Sequence, residues 1–234
     1  MGNLFLYQSK IPGCSPNGNN PLFNNVQFDR FEEDFMILDK SRDILVTFVA
    51  SNKISIMTKV KVRELVFEKF INREEIDAAV QKVADGINRD YAGKNPLLLA
   101  ILNGAFIFAS DLMRKITVPC EISFVKYASY SGIISTTNVK ELIGMNEELE
   151  GRHVIVVEDI VDTGITMDKL LADVREKKPL DVKVACFCFK AEAFQKDFTI
   201  DYLGMTIPND FIVGYGLDYD GHGRNFPEIY RIVK

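Results

Sequence analysis

From residue 57 onward, hydrophobic and polar positions alternate between a pattern typical of buried strands and one typical of helices. Continuous apolar runs of strand length, expected for parallel strands covered on both faces, occupy 96–102, 153–158 and 182–189. Apolar residues at helical spacing predict helices over 72–93, 105–116 and 166–177. A further strand is predicted at 122–127, followed by a loop rich in Ser, Thr and Gly. The pattern predicts an α/β fold with a mainly parallel central sheet flanked by helices.

The two ends of the chain differ from this middle part. Between residues 11 and 25, eleven of fifteen residues are Pro, Gly, Ser or Asn, a composition of turns and disorder. Residues 1–56 show no persistent helical or strand period, so we expect a poorly ordered N-terminal extension before a domain at 57–234. Residues 198–234 hold short apolar runs, turns and many aromatics. They predict a small C-terminal hood over one end of the sheet.

Composition and charge narrow the class of protein. The 234 residues are 47% hydrophobic and 26% charged, which is enough apolar material for a sizeable core. The net charge is -5 and no block of basic residues occurs, which argues against a nucleic-acid partner. No apolar run approaches the roughly 20 residues of a membrane helix, and no secretory signal pattern is visible. Four cysteines without metal-like spacing fit a cytoplasmic, reduced protein.

Candidate chemistry lies at the end of the second apolar run. Acidic Glu158, Asp159 and Asp162 are followed by the turn Thr163-Gly164-Ile165-Thr166 and a predicted helix. Such a turn offers main-chain N–H groups and hydroxyls at a helix N-terminus, which is the chemistry of a phosphate site. A Walker A loop is excluded because the Gly-Lys-Ser/Thr sequence is absent.

Residues 154–166 resemble the phosphoribosyl-pyrophosphate motif of type I phosphoribosyltransferases, and the surrounding chain resembles the hypoxanthine-guanine (6-oxopurine) branch. Four further stretches match in order. They are Leu102-Asn103-Gly104-Ala105, Ser129-Tyr130, Lys190, and 211–219 followed by Arg224. The resemblance implies a type I phosphoribosyltransferase-like fold. It also implies transfer of a phosphoribosyl group to hypoxanthine or guanine in purine salvage.

The resemblance assigns Asp162 as the general base for the purine, with a helix cap as its alternative structural role. It assigns Ser129 and Tyr130 to a loop that closes over the reacting centre, and Arg224 to pyrophosphate. The residues that it implies for the 5′-phosphate are Thr163, Gly164, Ile165 and Thr166. Those that it implies for the purine are Lys190, Phe211, Ile212 and the region of Asp218.

The remaining implied roles concern ribose, metal and pyrophosphate. Glu158 and Asp159 would hold the ribose hydroxyls and a hydrated Mg²⁺, and Asp218 would help to hold a second Mg²⁺. Asn103, Gly104 and Ala105 would bind pyrophosphate, with a non-proline cis peptide known in the family. Many relatives carry Lys where this chain has Asn103, so affinity for pyrophosphate is open.

Two other functions are compatible with the fold. One is a regulator that binds nucleotides without catalysis, but it would need a basic nucleic-acid face that this acidic chain lacks. The other is a phosphoribosyltransferase for another base, such as xanthine or a pyrimidine. Lys190 and Phe211 favour a 6-oxopurine without separating hypoxanthine, guanine and xanthine. The resemblance also implies a homo-oligomer, either a dimer or a tetramer.

Overall fold

The computed structural model describes residues 26–31, 34–39, 44–49, 57–129, 139–143 and 147–233. The chain divides into two compact units, one of Met1–Lys69 with Val233 and one of Phe70–Ile232. The second unit contains most of the expected domain at 57–234.

The first unit is built from consecutive antiparallel strands, the last of which ends two residues into the second unit. They are β1 (Val26–Phe31), β2 (Asp34–Asp39), β3 (Ile44–Val49), β4 (Met57–Val62) and β5 (Leu65–Ile71), each paired with the next. Three of these strands lie where the sequence shows no persistent period. Adjacent antiparallel strands pair through their backbones, and this pairing does not require alternating side chains. That residues 1–56 are a poorly ordered and dispensable extension stays a prediction.

The second unit contains a six-stranded sheet. Its strands are β6 (Leu97–Ile101), β7 (Glu121–Ser129), β8 (Val139–Ile143), β9 (His153–Val161), β10 (Asp181–Phe189) and β11 (Tyr202–Thr206). The spatial order is β11-β10-β9-β6-β7-β8, with every pair parallel except β7 and β8. The predicted parallel sheet is confirmed.

Helices α1 (Arg73–Asp90), α2 (Phe106–Lys115) and α3 (Ile165–Glu176) lie close to the predicted positions. The start of α1 is a capping box. Its Asn72 side chain accepts from the Glu75 N–H at 2.9 Å, and the Glu75 carboxylate accepts from the Asn72 N–H at 2.8 Å. This reciprocal pairing satisfies two N–H groups that the first turn of a helix leaves without partners.

The sheet is covered on both faces, as the continuous apolar runs predict. Along β6, Leu98 and Ala100 join the core that contains α1 and α2, whereas Leu97 and Leu99 join the core beneath α3. All five residues of β6 are buried. Neighbouring residues of a strand point to opposite faces, so a strand between two helical layers must be apolar throughout.

The C-terminal part supplies both an edge strand and the hood. β11, which lies in the expected hood, pairs with β10 as a strand of the sheet. The hood contains β12 (Ile212–Val213) and β13 (Ile229–Ile232), which pair with each other in antiparallel fashion. Within the described residues, no helix combines the length and apolarity needed to cross a membrane.

Candidate active site

The direction of winding of the sheet reverses between β6 and β9. The five parallel strands stand in the order β7-β6-β9-β10-β11, so the chain moves one way from β6 and the other way from β9. In open α/β sheets, ligands bind beyond the carboxyl ends of the strands at such a reversal. The loop of residues 102–105, here called the β6 loop, and the segment 158–166 therefore border one crevice.

The β6 loop is held close to β9 and to the hood. The peptide bond between Leu102 and Asn103 is cis, as the resemblance implies. A Cβ on Gly104 would overlap the Asp159 carboxylate, and a Cβ on Gly216 would overlap the Gly104 carbonyl oxygen. The β6 loop, β9 and the hood approach one another so closely here that neither glycine has room for a side chain.

Two adjacent carboxyl groups, Glu158 and Asp159, lie inside β9. The strand runs past the expected end at residue 158 because Ile160 and Val161 still pair with β10. Asp159 is buried. Burial raises the pKa of Glu158 well above its ordinary value, the Asp159 charge raises it further, and burial also raises the pKa of Asp159. Without a ligand the pair therefore favours a bound proton, and a cation would favour the doubly charged form.

The start of α3 has the chemistry of a phosphate site. Its N-cap is Gly164 with φ of +81°, a conformation that favours glycine, and no side chain in the described part of the chain caps it. Asp162 is therefore not the helix cap. A Cβ on Gly164 would lie 2.6 Å from the Phe194 ring, and the Gln195 N–H donates to the Thr163 carbonyl oxygen at 3.1 Å. These contacts fix a turn whose N–H groups can bind an anion.

One side chain of this turn, that of Thr163, accepts from a backbone N–H group of the same turn. Ile165 begins α3 with its side chain exposed, so only its N–H can serve a ligand in the crevice. That N–H lies 3.5 Å from Thr163 Oγ1. Thr166 follows in the first turn of the helix. The structure places two hydroxyls and several main-chain N–H groups at this turn, and their role as phosphate donors stays a prediction.

Asp162 and Lys190 form an ion pair at the ends of β9 and β10. Lys190 Nζ lies 2.8 Å from Asp162 Oδ2, and the lysine side chain is 8% exposed against 45% for the aspartate. The Lys190 N–H also donates to the Val161 carbonyl oxygen at 3.0 Å. Parallel pairing thus brings together two residues that are far apart in the sequence. The result is one acidic and one basic group side by side at the mouth of the crevice.

A second ion pair, between Asp218 and Arg224, lies in the hood. Arg224 Nη2 is 2.7 Å from Asp218 Oδ1, and Nη1 donates to the Gly216 carbonyl oxygen at 2.6 Å. Asp218 Oδ2 also accepts from the Gly221 N–H at 2.6 Å. Gly216 lies against Gly104, and Gly104 lies against Asp159, so the guanidinium lies near the acidic pair of β9. Burial raises the pKa of Asp159, and the Arg224 charge opposes that rise. The hood thus brings a cation to the crevice.

The hood also presents an aromatic side chain. Phe211 is 41% exposed, and its ring meets that of Tyr219 edge-on at 5.7 Å between centroids. Ile212 follows it in β12 and is buried. The Tyr215 hydroxyl donates to the Asp111 carboxylate at 3.0 Å, which fastens the hood to α2. The exposed ring of Phe211, on a hood that is hydrogen-bonded to α2, is suited to stacking against a planar base.

Comparison with known proteins agrees with this geometry. The family model of the phosphoribosyl transferase domain matches residues 71–220. The chain belongs to the phosphoribosyltransferase family. It is 38% identical to the hypoxanthine-guanine phosphoribosyltransferase of Streptococcus pneumoniae over 162 residues, covering 68% of this chain and 89% of the relative.

Two further likenesses support the same family. The hypoxanthine-guanine-xanthine phosphoribosyltransferase of Tritrichomonas foetus is 37% identical over 161 residues, covering 68% of this chain and 87% of that protein. The crystal structure of a hypoxanthine-guanine phosphoribosyltransferase from Bacillus anthracis aligns with a TM-score of 0.67 and 37% identity. That alignment covers 70% of this chain and 98% of the other.

Most of the expected site residues of this phosphoribosyltransferase come together at the sheet reversal. The β6 loop, the turn before α3 and Lys190 follow three neighbouring strands, and the acidic pair lies within the middle one, β9. The side chain of Ser129 and all of Tyr130 lie outside the described residues, and their roles stay predictions.

The structure also adds residues that the sequence analysis did not single out. Gly216 and Phe194 support the β6 loop and the turn at Gly164 respectively. Lys126, on β7, places its ammonium 3.3 Å from Asn103 Oδ1. No local pattern assigns a role to these residues, because each acts through a neighbour that is distant in the chain. The available signals are the position of Gly216 within the matching stretch 211–219 and that of Lys126 near the end of a predicted strand.

The acidic pair of Glu158 and Asp159 provides two carboxyl groups, the type of ligand that suits Mg²⁺. Among the described residues, no group of three or more His, Cys, Asp or Glu side chains is arranged to enclose a metal ion. Both oxygens of Asp218 are engaged, one by Arg224 and the other by the Gly221 N–H. Mg²⁺ is commonly held by one or two carboxylates together with substrate oxygens, so Glu158 and Asp159 alone fit a substrate-bound Mg²⁺.

Proposed function

We propose that this protein is a hypoxanthine-guanine phosphoribosyltransferase. It transfers the 5-phosphoribosyl group from phosphoribosyl pyrophosphate to N9 of hypoxanthine or guanine, giving IMP or GMP and pyrophosphate. The observation that carries the proposal is the pair of Lys190 and Asp162, with 2.8 Å between a buried ammonium and a carboxylate. The pair lies beside the turn before α3.

The two groups complement one edge of a 6-oxopurine. That edge presents the carbonyl oxygen at position 6 next to N7, and N7 carries a proton when N9 is the attacking atom. Lys190 donates to the carbonyl oxygen, and Asp162 accepts the N7 proton as the bond to ribose forms. Adenine presents an amino group at position 6, and this hydrogen-bond donor would face the ammonium of Lys190, which is also a donor. The pair therefore favours hypoxanthine and guanine over adenine.

The other groups of the crevice hold the phosphoribosyl donor. The main-chain N–H groups and hydroxyls of 163–166 bind the 5′-phosphate at the start of α3. Glu158 and Asp159 accept from the ribose hydroxyls, and Phe211 stacks on the purine beside the Ile212 backbone. Asn103, Gly104, Ala105 and Arg224 bind pyrophosphate, and Ser129 and Tyr130 close over the site and exclude water.

Magnesium is proposed as the cofactor. Glu158 and Asp159 would hold it, with Asp218 near a second ion if its pairing with Arg224 opens. The ion neutralises the charge that develops on pyrophosphate. The carboxylates orient the ribose, and a bound cation would stabilise the charged form of the pair, whose pKa burial raises.

Assembly and location complete the proposal. We infer a cytoplasmic homo-oligomer, either a dimer or a tetramer, that acts on small molecules without a nucleic-acid or membrane partner. The acidic net charge of -5 supports the absence of a nucleic-acid partner. Size-exclusion chromatography with light scattering gives the number of subunits.

The proposal is tested with a panel of bases. Hypoxanthine, guanine, xanthine, adenine and uracil are each supplied with phosphoribosyl pyrophosphate and Mg²⁺, and nucleotide formation is followed by chromatography. Hypoxanthine and guanine should react, with adenine and uracil inert. Xanthine belongs in the panel because the name of the Tritrichomonas relative includes it. Reaction with uracil or adenine alone would overturn the assignment of Lys190, and no reaction with any base would favour a nucleotide-binding regulator.

A further inference from the structure

Pyrophosphate carries several negative charges, and the cations around the crevice differ in how far their charge is already neutralised. Lys190 is paired with Asp162 at 2.8 Å, and Arg224 is paired with Asp218 at 2.7 Å. The β6 loop, Leu102-Asn103-Gly104-Ala105, contains no charged side chain. A leaving group bound at this loop would therefore gain from a further cation near the loop, in addition to Arg224 and the proposed Mg²⁺.

Lys126 is placed to supply this charge. It follows Val125, which lies opposite Ile101 in the parallel pairing of β6 and β7. The Leu102 N–H donates to the Val125 carbonyl oxygen at 2.8 Å, so Lys126 stands level with the start of the β6 loop. Its ammonium lies 3.3 Å from the Asn103 amide oxygen.

The partner of Lys126 is a neutral amide, and this distinguishes it from the other two cations. In the described part of the chain, no carboxylate lies within ion-pair distance of its ammonium. An amide oxygen orients the ammonium without cancelling its charge. The three N–H groups of the ammonium allow it to keep Asn103 while donating to a phosphate oxygen.

We propose that Lys126 is a pyrophosphate-binding residue, oriented by Asn103, that supplies from β7 the positive charge that the β6 loop lacks. The proposal rests on the proposed function for its substrate. Its expected effect is confined to the pyrophosphate end of the site, because Lys190 and Asp162 hold the base and the turn before α3 holds the 5′-phosphate.

The test is Lys126→Gln in the full chain. Binding of inorganic pyrophosphate with Mg²⁺ is measured by titration calorimetry, and KM is measured for both substrates. Charge-assisted hydrogen bonds are stronger than neutral ones, but solvent weakens the contact of a partly exposed ammonium. Pyrophosphate affinity should therefore fall about 10-fold, at the lower end of the range for such bonds. KM for phosphoribosyl pyrophosphate should rise by about the same factor. KM for hypoxanthine should stay within about twofold of the wild type, because the base is assigned to Lys190 and Asp162 at the ends of β9 and β10 rather than to β7.

Two additional variants separate a lost charge from a damaged fold. Lys126→Arg keeps the charge and should keep pyrophosphate affinity within about threefold. Adding Asn103→Lys to Lys126→Gln moves the charge onto the β6 loop and should restore most of the affinity. Lys177→Gln, which removes an exposed charge at the far end of α3, is the matched control and should change nothing.

Each outcome supports or overturns the proposal. Unchanged pyrophosphate affinity in Lys126→Gln overturns it, as does an equal loss in Lys177→Gln, which would reveal a net-charge effect. Failure of the added Asn103→Lys to restore affinity, together with a lowered melting temperature, would assign Lys126 a structural role. If the wild type forms no nucleotide but Lys126→Gln still loses pyrophosphate affinity, the proposed function fails while this proposal stands.

Discussion

Replacing Asp162 by Asn separates the chemistry of this residue from its structural contact. The amide keeps the shape of the side chain, and its oxygen can still accept from Lys190, whose ammonium now lies 2.8 Å from the carboxylate. The hydrogen bond from Lys190 therefore remains but loses the contribution of the negative charge. Charged hydrogen bonds contribute about 1.5–3 kcal/mol and neutral ones about 0.5–1.5. Because Asp162 is 45% exposed, we expect a loss of stability of about 1 kcal/mol.

The effect on turnover should be much larger than the effect on stability. General-base catalysis typically contributes about 10²- to 10⁴-fold, and kcat should fall by that range with both hypoxanthine and guanine. KM for phosphoribosyl pyrophosphate should stay within a few-fold. The turn before α3 depends on the backbone conformation of Gly164 and on the hydrogen bond between Gln195 and Thr163. Neither feature involves the Asp162 carboxylate.

The assay measures kcat per folded molecule and the melting temperature on the same sample. A loss of about 1 kcal/mol lowers the melting temperature by about 2–4 °C in a chain of this size. Adding Lys190→Gln to Asp162→Asn removes the buried ammonium that lost its counterion, so melting temperature should recover while kcat does not. A fall in kcat of less than about threefold would refute the assignment of Asp162 as the base.

Three other changes test the rest of the site. Lys190→Gln should lower kcat/KM for hypoxanthine about 10- to 150-fold and barely change KM for phosphoribosyl pyrophosphate; the reverse pattern would place this lysine at the wrong end of the site. Glu158→Gln should raise the melting temperature at pH 7 and weaken phosphoribosyl pyrophosphate binding. Because burial raises the pKa of Glu158, ligand-free wild type should lose stability as pH rises from 4.5 through that pKa, and thermal scans across pH should show a smaller loss in the variant. A chain starting at Met57 should fold and turn over normally by circular dichroism and the hypoxanthine assay; loss of either property would make residues 1–56 part of the domain.

The sequence by itself determined the local elements and the central motif. Strands buried on both faces must be apolar throughout, so β6, β9 and β10 are visible as continuous runs. The capping box at Asn72 and Glu75 marks the start of α1 because both partners lie within one turn of the helix. The acidic and phosphate-binding residues of 158–166 are likewise contiguous, and their chemistry can be inferred from their order.

The tertiary structure decided which groups from different parts of the chain pair with each other. Asp162 and Lys190 are paired because β9 and β10 run parallel and end together, and Asn103 meets Lys126 because β6 and β7 do the same. Gly104 is required where the loop approaches the Asp159 carboxylate, a contact that no local pattern records. The physical reason is that hydrogen bonds and charges act over a few ångströms in space. Sequence periodicity reports only the burial of each element, whereas strand order sets which charged groups become neighbours.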